Sequence, residues 1–212
     1  MIKYRLKFSK RGRIRFIGHL DLLTVMQRAV NRASLPISYS NGFNPHQIMS
    51  FALPLALGFS SIGEYLDIQL NEEINEVDVR NRLNVVLPEG IEILKCKLMP
   101  NNTKNSASTL YSATYDVKIY GIDNIEDFIN EKEIIVMKKT KKQLKETDIK
   151  KSILNISYDE TLHLKLLTGS QNNLKADLVV NSIYDYYKVE YDIDKIEFLR
   201  TEMFDENNKT LL

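Results

Sequence analysis

Two histidines stand in short motifs whose neighbours suit acid–base work: His19 in Gly18-His19-Leu20-Asp21 and His46 in Gly42-Phe43-Asn44-Pro45-His46. Imidazole titrates near neutral pH, so two of them can serve as general acid and general base without a metal. Brought together by the fold, His19 and His46 would suit metal-independent cleavage of RNA. Asp21 could orient His19, or could simply cap a helix by accepting a free N–H, which is the commoner use of an acid at a helix start. A metal site that recruits Asp21 or Glu64 to the two histidines is the weaker reading. No metal and no cofactor are therefore assigned. Around His46, the residues Tyr39, Ser40, Gly42, Phe43 and Asn44, with Glu64 further along, form a candidate ligand loop. Glycine lets backbone N–H groups approach a ligand, and asparagine reads donor–acceptor edges. The competing reading is a structural turn, in which Asn44 bonds its own backbone and Pro45 sets φ.

The same region is strongly basic. Residues 1–50 hold nine Lys and Arg against one acid, Asp21, whereas the chain as a whole carries +1. Solubility does not require such segregation, and a local positive field attracts phosphates. Lys3, Arg5 and Lys7 alternate with apolar residues, so they are expected to project from one face of a strand. Arg11, Arg13 and Arg15, with Lys10, follow in a turn. Arg28 and Arg32 are four apart and share a helix face. An open sheet with basic side chains, plus aromatics such as Tyr39 and Phe43, can track a phosphate backbone and stack bases. A plain solvated surface is the alternative. A second basic run, Lys138-Lys139-Thr140-Lys141-Lys142, could extend the track or be a hairpin tip in water.

These residues must be positioned by the elements around them. Ile2, Tyr4, Leu6 and Phe8 predict a half-buried strand over 2–8. Leu22, Met26, Ala29, Val30 and Ala33 predict a helix ending before Pro36. Ile37–Tyr39 reads as a short strand, 40–47 as a turn-rich loop, and 64–70 as a strand. Val79, Leu83, Val86 and Leu87 predict a helix over 75–87, and 91–98 alternates again. The order is β-α-β-β-α-β, the ferredoxin-like unit. Asn101–Ser108 is linker-like, and a similar order then recurs. Strands are expected at 114–120, 134–138, 145–155, 161–167 and 191–203, with helices at 125–131 and 174–187. The expected fold class is α+β: tandem ferredoxin-like units with antiparallel sheets. The first covers 1–100, a linker covers 101–110, and a second, degraded copy covers 111–212.

Four linked motifs identify a resemblance. Tyr4-Arg5-Leu6-Lys7-Phe8-Ser9-Lys10, Phe16-Ile17-Gly18-His19-Leu20-Asp21, Ser40-Asn41-Gly42-Phe43-Asn44-Pro45-His46 and Gly63-Glu64-Tyr65-Leu66-Asp67 occur in order. Together they resemble the radical-SAM-linked bacterial family of unknown function. Its members occur as separate small proteins or C-terminal to B12-binding radical SAM proteins. Lys141-Lys142 and Asp148-Ile149-Lys150 fit its looser second half, and Gln47 stands where the pattern has proline. The resemblance implies a radical SAM partner. Through genes encoded near an RNase G-like nuclease and ribosomal proteins, it also implies RNA or ribosome biology.

Composition excludes other classes. At 43% apolar residues in 212, a packed core is expected. The lone Cys96, in a strand-like alternation, reads as a small core residue. It allows neither an internal disulfide nor a three-cysteine iron–sulfur site, so radical SAM chemistry would belong to the partner. No apolar run has the length of a signal peptide or a membrane span, so a cytoplasmic protein without a membrane partner is expected. The leading reading is a non-enzymatic RNA-binding or substrate-presenting accessory. The alternatives are an RNA-processing enzyme using His19 and His46, and a module that docks on a radical SAM enzyme.

Overall fold

The alternation at the start of the chain produces a strand in the computed structural model, which describes residues 1–139, 144–169 and 172–212. Of the basic run at 138–142, Thr140, Lys141 and Lys142 lie outside the described residues. The chain divides into two units, Met1–Leu110 with Glu202–Leu212, and Tyr111–Thr201.

In the first unit, β1 (Ile2–Lys10) buries Tyr4, Leu6 and Phe8. A 3-10 turn over Gly12–Phe16 leads into α1 (His19–Arg32). The predicted apolar stripe is the buried one, Leu22, Met26, Ala29 and Val30, and Pro36 follows the helix end. After β2 (Met49–Phe51) and β3 (Ser60–Leu70) come α2 (Glu76–Val86) and β4 (Ile91–Leu98). β1 pairs antiparallel with both β3 and β4, and β2 pairs antiparallel with β3. The apolar side chains of β1, β3 and β4 share one core with α1 and α2. Asn75 starts α2 by accepting the Val77 N–H, which satisfies one of the free donors of a helix start.

Two expectations for this unit need correction. Ile37–Tyr39 is not a strand: Ile37 and Tyr39 make single bridges, to Leu70 and Gln47. The edge of β3 at 66–68 is already taken by β2. The basic face of β1 is not a solvated face either. Arg5 is buried and Lys7 is half-buried. The segment expected to be a linker lies across this face and ends in a short helix, α3 (Ser106–Thr109). Lys3 donates to the Thr103 carbonyl and to Asn105 Oδ1, and Arg5 donates to the Lys104 carbonyl. Glu202–Leu212, expected with the second unit, groups with the first and supplies Glu202 to Lys7.

The second unit comprises β5 (Ser112–Lys118), α4 (Glu126–Asn130), β6 (Ile135–Lys139), β7 (Leu144–Asp148), β8 (Ile153–Tyr158), β9 (Leu162–Leu167) and α5 (Ala176–Tyr187). β10 (Glu197–Phe204) begins in this unit and passes into the first at Glu202. β9 pairs antiparallel with β5 and β8, and β5 neighbours β10. β6 and β7 form a separate antiparallel pair. The single strand expected over 145–155 is two strands, because a 3-10 turn at Lys150–Ser152 separates β7 from β8. Leu162, Leu164, Leu166, Val179, Val180 and Ile183 are buried here. The protein is thus a mixed α+β structure with mostly antiparallel sheet. No helix among the described residues is long and apolar enough to cross a membrane.

Candidate functional site

The basic turn Arg11–Phe16 is held by two pins. Lys10 ends β1 with its ammonium turned inward, 1% exposed, and donates to the Ile17 carbonyl at 2.8 Å and the Arg15 carbonyl at 3.3 Å. Burial lowers the Lys10 pKa, and the charge of buried Glu64 opposes that shift. The second pin is the turn between α2 and β4. The Arg11 N–H donates to the Gly90 carbonyl at 2.8 Å. Gly90 has φ +91°, and a Cβ there would stand 2.4 Å from the Arg11 carbonyl oxygen. Only glycine fits so close a backbone approach. What these pins present to solvent is Arg11, Arg13 and Phe16, with Arg15 partly exposed. The Arg15 guanidinium lies 4.8 Å from the Phe16 ring centroid, a cation–π contact.

At the start of α1, Asp21 takes the capping role, accepting the Gly18 N–H at 3.3 Å. His19 is half-buried with its ring edge-to-face against Phe51, centroids 5.1 Å apart. Leu20, Thr24, Arg28 and Arg32 follow at four-residue steps, all exposed, so they form one row along the helix. Arg32 also donates to the Val86 carbonyl. Arg11, Arg13, Arg15 and Arg28 enter no ion pair among the described residues.

The loop 40–46 closes on itself. The Ser40 N–H donates to the His46 carbonyl at 2.8 Å, the His46 N–H donates to Ser40 Oγ at 3.1 Å, and Ser40 Oγ meets His46 Nδ1 at 2.8 Å. Gly42, φ +120°, sits at the tip in open space. Phe43 beside it is fully exposed, Asn44 is exposed, and Tyr39 is half exposed. The loop is anchored by Gln47, 6% exposed, whose amide donates to Asn31 Oδ1 at 2.6 Å and to the Gln27 carbonyl. A proline there could make neither bond.

This anchoring bears on the histidine pair. Gln47 meets α1 eight to twelve residues beyond His19, which is about 12–18 Å along the helix axis. The two imidazoles share no hydrogen bond or ring contact, and each has a different neighbour. The structure thus shows no direct contact between the two imidazoles. Among the described residues no group of three His, Cys, Asp or Glu side chains is disposed to hold a metal.

The sequence-predicted cations separate into two sets. Lys3, Arg5 and Lys7 are engaged by protein partners, while Arg11, Arg13, Arg15, Arg28 and Arg32 line the exposed turn and helix row. Glu64 does not belong to the loop: it is 1% exposed and acts on Lys10. Phe16 and Gly90 were missed as site residues, and Lys10 was placed with the turn's outward cations. Phe16 carried a signal, an isolated aromatic between Arg15 and Ile17; the inward turn of Lys10 carried none. Cys96 is half-buried beside Glu76 and Arg80, and burial pushes its thiol up to about 12, so it stays protonated. His163 in the second unit lies between Asp116 at 2.8 Å from Nδ1 and Asp159 at 2.9 Å from Nε2. Hydrogen bonding to Asp116 is the main cause that raises its pKa.

No curated protein matches the chain in sequence. Residues 3–176 match the model of a family described as an uncharacterised protein conserved in bacteria, DUF2344. That span takes in β1, the basic turn, α1, the 40–47 loop and the start of α5, so the chain belongs to this bacterial family.

Proposed function

We propose that the first unit binds RNA through the arginine surface of the 3-10 turn and α1, as a non-enzymatic accessory. The observation that carries this reading is that Arg11, Arg13, Arg15 and Arg28 remain without acidic partners among the described residues, while the cations of β1 are consumed by the fold. Guanidinium groups on the exposed turn and helix row, with no carboxylate in ion-pair contact among the described residues, make a field suited to a phosphate backbone. Arginine forks match phosphate geometry bidentately. A surface of this kind positions an RNA and needs no catalytic group of its own.

The finer features of the account belong to the same proposal. The radical SAM enzyme implied by the sequence resemblance is the partner that would modify the presented RNA, in the cytoplasm. In the first unit β1 lies between β4 and β3 and β2 also pairs with β3, and the second runs β10-β5-β9-β8; both patterns support reading ferredoxin-like units, the second with the β6–β7 pair inserted.

The test is retention of mixed tRNA and rRNA fragments by the purified protein at low salt. Retention that falls with added salt and is lost in Arg13→Glu/Arg28→Glu supports the reading. No retention, or equal retention by that variant, overturns it. A protein that carries no nucleic acid from cells but co-purifies with a radical SAM enzyme would favour a docking role instead.

A further inference from the structure

Three aromatic side chains on the first unit are exposed, and they stand toward the two ends of α1. Phe16 is 59% exposed and lies just before the helix; Tyr39 is 50% exposed and Phe43 fully so, on the loop that Gln47 ties to Gln27 and Asn31. Between them runs the exposed row Leu20, Thr24, Arg28 and Arg32. The fourteen residues of α1 separate the two ends by about 21 Å.

From this we infer that the RNA held at this surface is single-stranded, its backbone following the arginines and its bases stacking on Phe16 at one end of α1 and Phe43 at the other. The inference rests on the RNA-binding reading above and names the form of RNA. Phosphate contacts alone need only cations. Exposed rings add something useful only to bases that are free of their own stack. Duplex RNA keeps its bases paired and offers a protein mainly its shape, sugars and phosphates, whereas unpaired bases can be splayed onto aromatic rings.

The two rings are presented differently. Phe16 has the Arg15 guanidinium 4.8 Å from its centroid and keeps more than half its surface open, so a base can share the ring with a cation. Phe43 is carried on a loop closed by the three Ser40–His46 bonds, beside a glycine with nothing within 4 Å of where its Cβ would be. His46 thereby gains a role that needs no acid–base chemistry: with Ser40 it stiffens the loop that presents Phe43. Such a surface tolerates any sequence, because every base has a π-face.

Fluorescence anisotropy with a labelled single-stranded oligoribonucleotide and its own duplex, at matched salt, tests this. The wild-type protein is expected to bind the single strand about tenfold or more tighter than the duplex. Phe16→Ala/Phe43→Ala should reduce single-strand binding to the duplex level and leave duplex binding unchanged. Both side chains are exposed, so the thermal unfolding midpoint of this variant should match wild type, which keeps a binding loss from being read as misfolding. Equal wild-type affinity for the two RNA forms, or single-strand binding unaffected by the double substitution, overturns the inference while leaving RNA binding itself standing. Failure to bind either form overturns both.

Discussion

The guanidinium of Arg5 holds the carboxylate of Asp67 through two parallel bonds, Nε to Oδ1 at 2.7 Å and Nη2 to Oδ2 at 3.0 Å, across paired positions of β1 and β3. Both side chains are 4% exposed. Arg5 also donates to the Leu211 and Lys104 carbonyls, and Asp67 also accepts the Ser106 N–H. One ion pair therefore fastens two distant parts of the chain, 104–106 and 211, onto the sheet. A cation that sequence alone places on a binding face is a fold determinant.

Removing one partner of such a pair strands the other as a buried charge. Asp67→Ala is expected to lower unfolding free energy by about 3–5 kcal/mol, read from the urea midpoint. An exposed arginine behaves differently: Arg13→Ala should change stability by less than about 0.5 kcal/mol. Equal small effects from both substitutions would contradict the assignment of Arg5 to the fold.

The Gly90 contact makes a second prediction. Gly90→Ala forces a Cβ to 2.4 Å from the Arg11 carbonyl oxygen at positive φ, so a loss of about 2 kcal/mol or more is expected. Gly12 also has positive φ, +66°, but nothing lies within 4 Å of its Cβ position. Gly12→Asn should therefore cost about 1 kcal/mol or less, since asparagine tolerates this conformation. Thermal or urea unfolding of the two variants compares a packed glycine with a merely bent one.

The raised pKa of His163 predicts a pH dependence whose sign follows from the folded state holding the proton more tightly. The stabilisation from its Asp116 and Asp159 contacts should be fully present below the unfolded value of about 6.5. It should fade as pH rises through the raised folded value. Asp116→Asn should thus destabilise the protein at about pH 5.5 and scarcely at all near pH 9. NMR titration of the His163 ring should give a midpoint above 6.5 in wild type, lowered more by Asp116→Asn than by Asp159→Asn, because Asp116 is the larger cause. A wild-type midpoint at or below the ordinary value contradicts this.

The Ser40–His46 closure predicts that Ser40→Ala frees the loop tip without unfolding the protein. Amide exchange at 41–46 should quicken while the global midpoint moves by about 1 kcal/mol or less. Unchanged exchange would remove His46 from its structural role.

What the sequence disclosed and what it hid have physical reasons. α1 was legible because Leu22, Met26, Ala29 and Val30 repeat at helical spacing, and β1 because its apolar residues alternate. The opposite face of β1 was misread because Lys3, Arg5 and Lys7 alternate as a solvated face would; their partners are distant in sequence, Asp67 for Arg5 and others at 103–105 and 202–211. No local pattern reports such contacts. The strand placed at Ile37–Tyr39 belongs at Met49–Phe51, since two short apolar stretches competed for one edge of β3. The histidines were considered together because both motifs are dense in polar residues, but spacing along the chain says nothing of their different neighbours, Phe51 for His19 and Ser40 for His46. Gly90 matters only through a neighbour supplied by the fold, Arg11.

The salt dependence of RNA binding tests the central claim most directly. For single-stranded RNA, log Kobs should fall linearly with log salt between about 50 and 200 mM, with a slope of roughly −0.7 for each phosphate neutralised. The account predicts that Arg11→Gln, Arg13→Gln, Arg15→Gln and Arg28→Gln each make the slope shallower by about 0.7, whereas Lys7→Gln, whose partner is Glu202, leaves it unchanged. A slope insensitive to the four arginines, or one that responds to Lys7 as strongly as to them, would contradict the assignment of RNA binding to this surface.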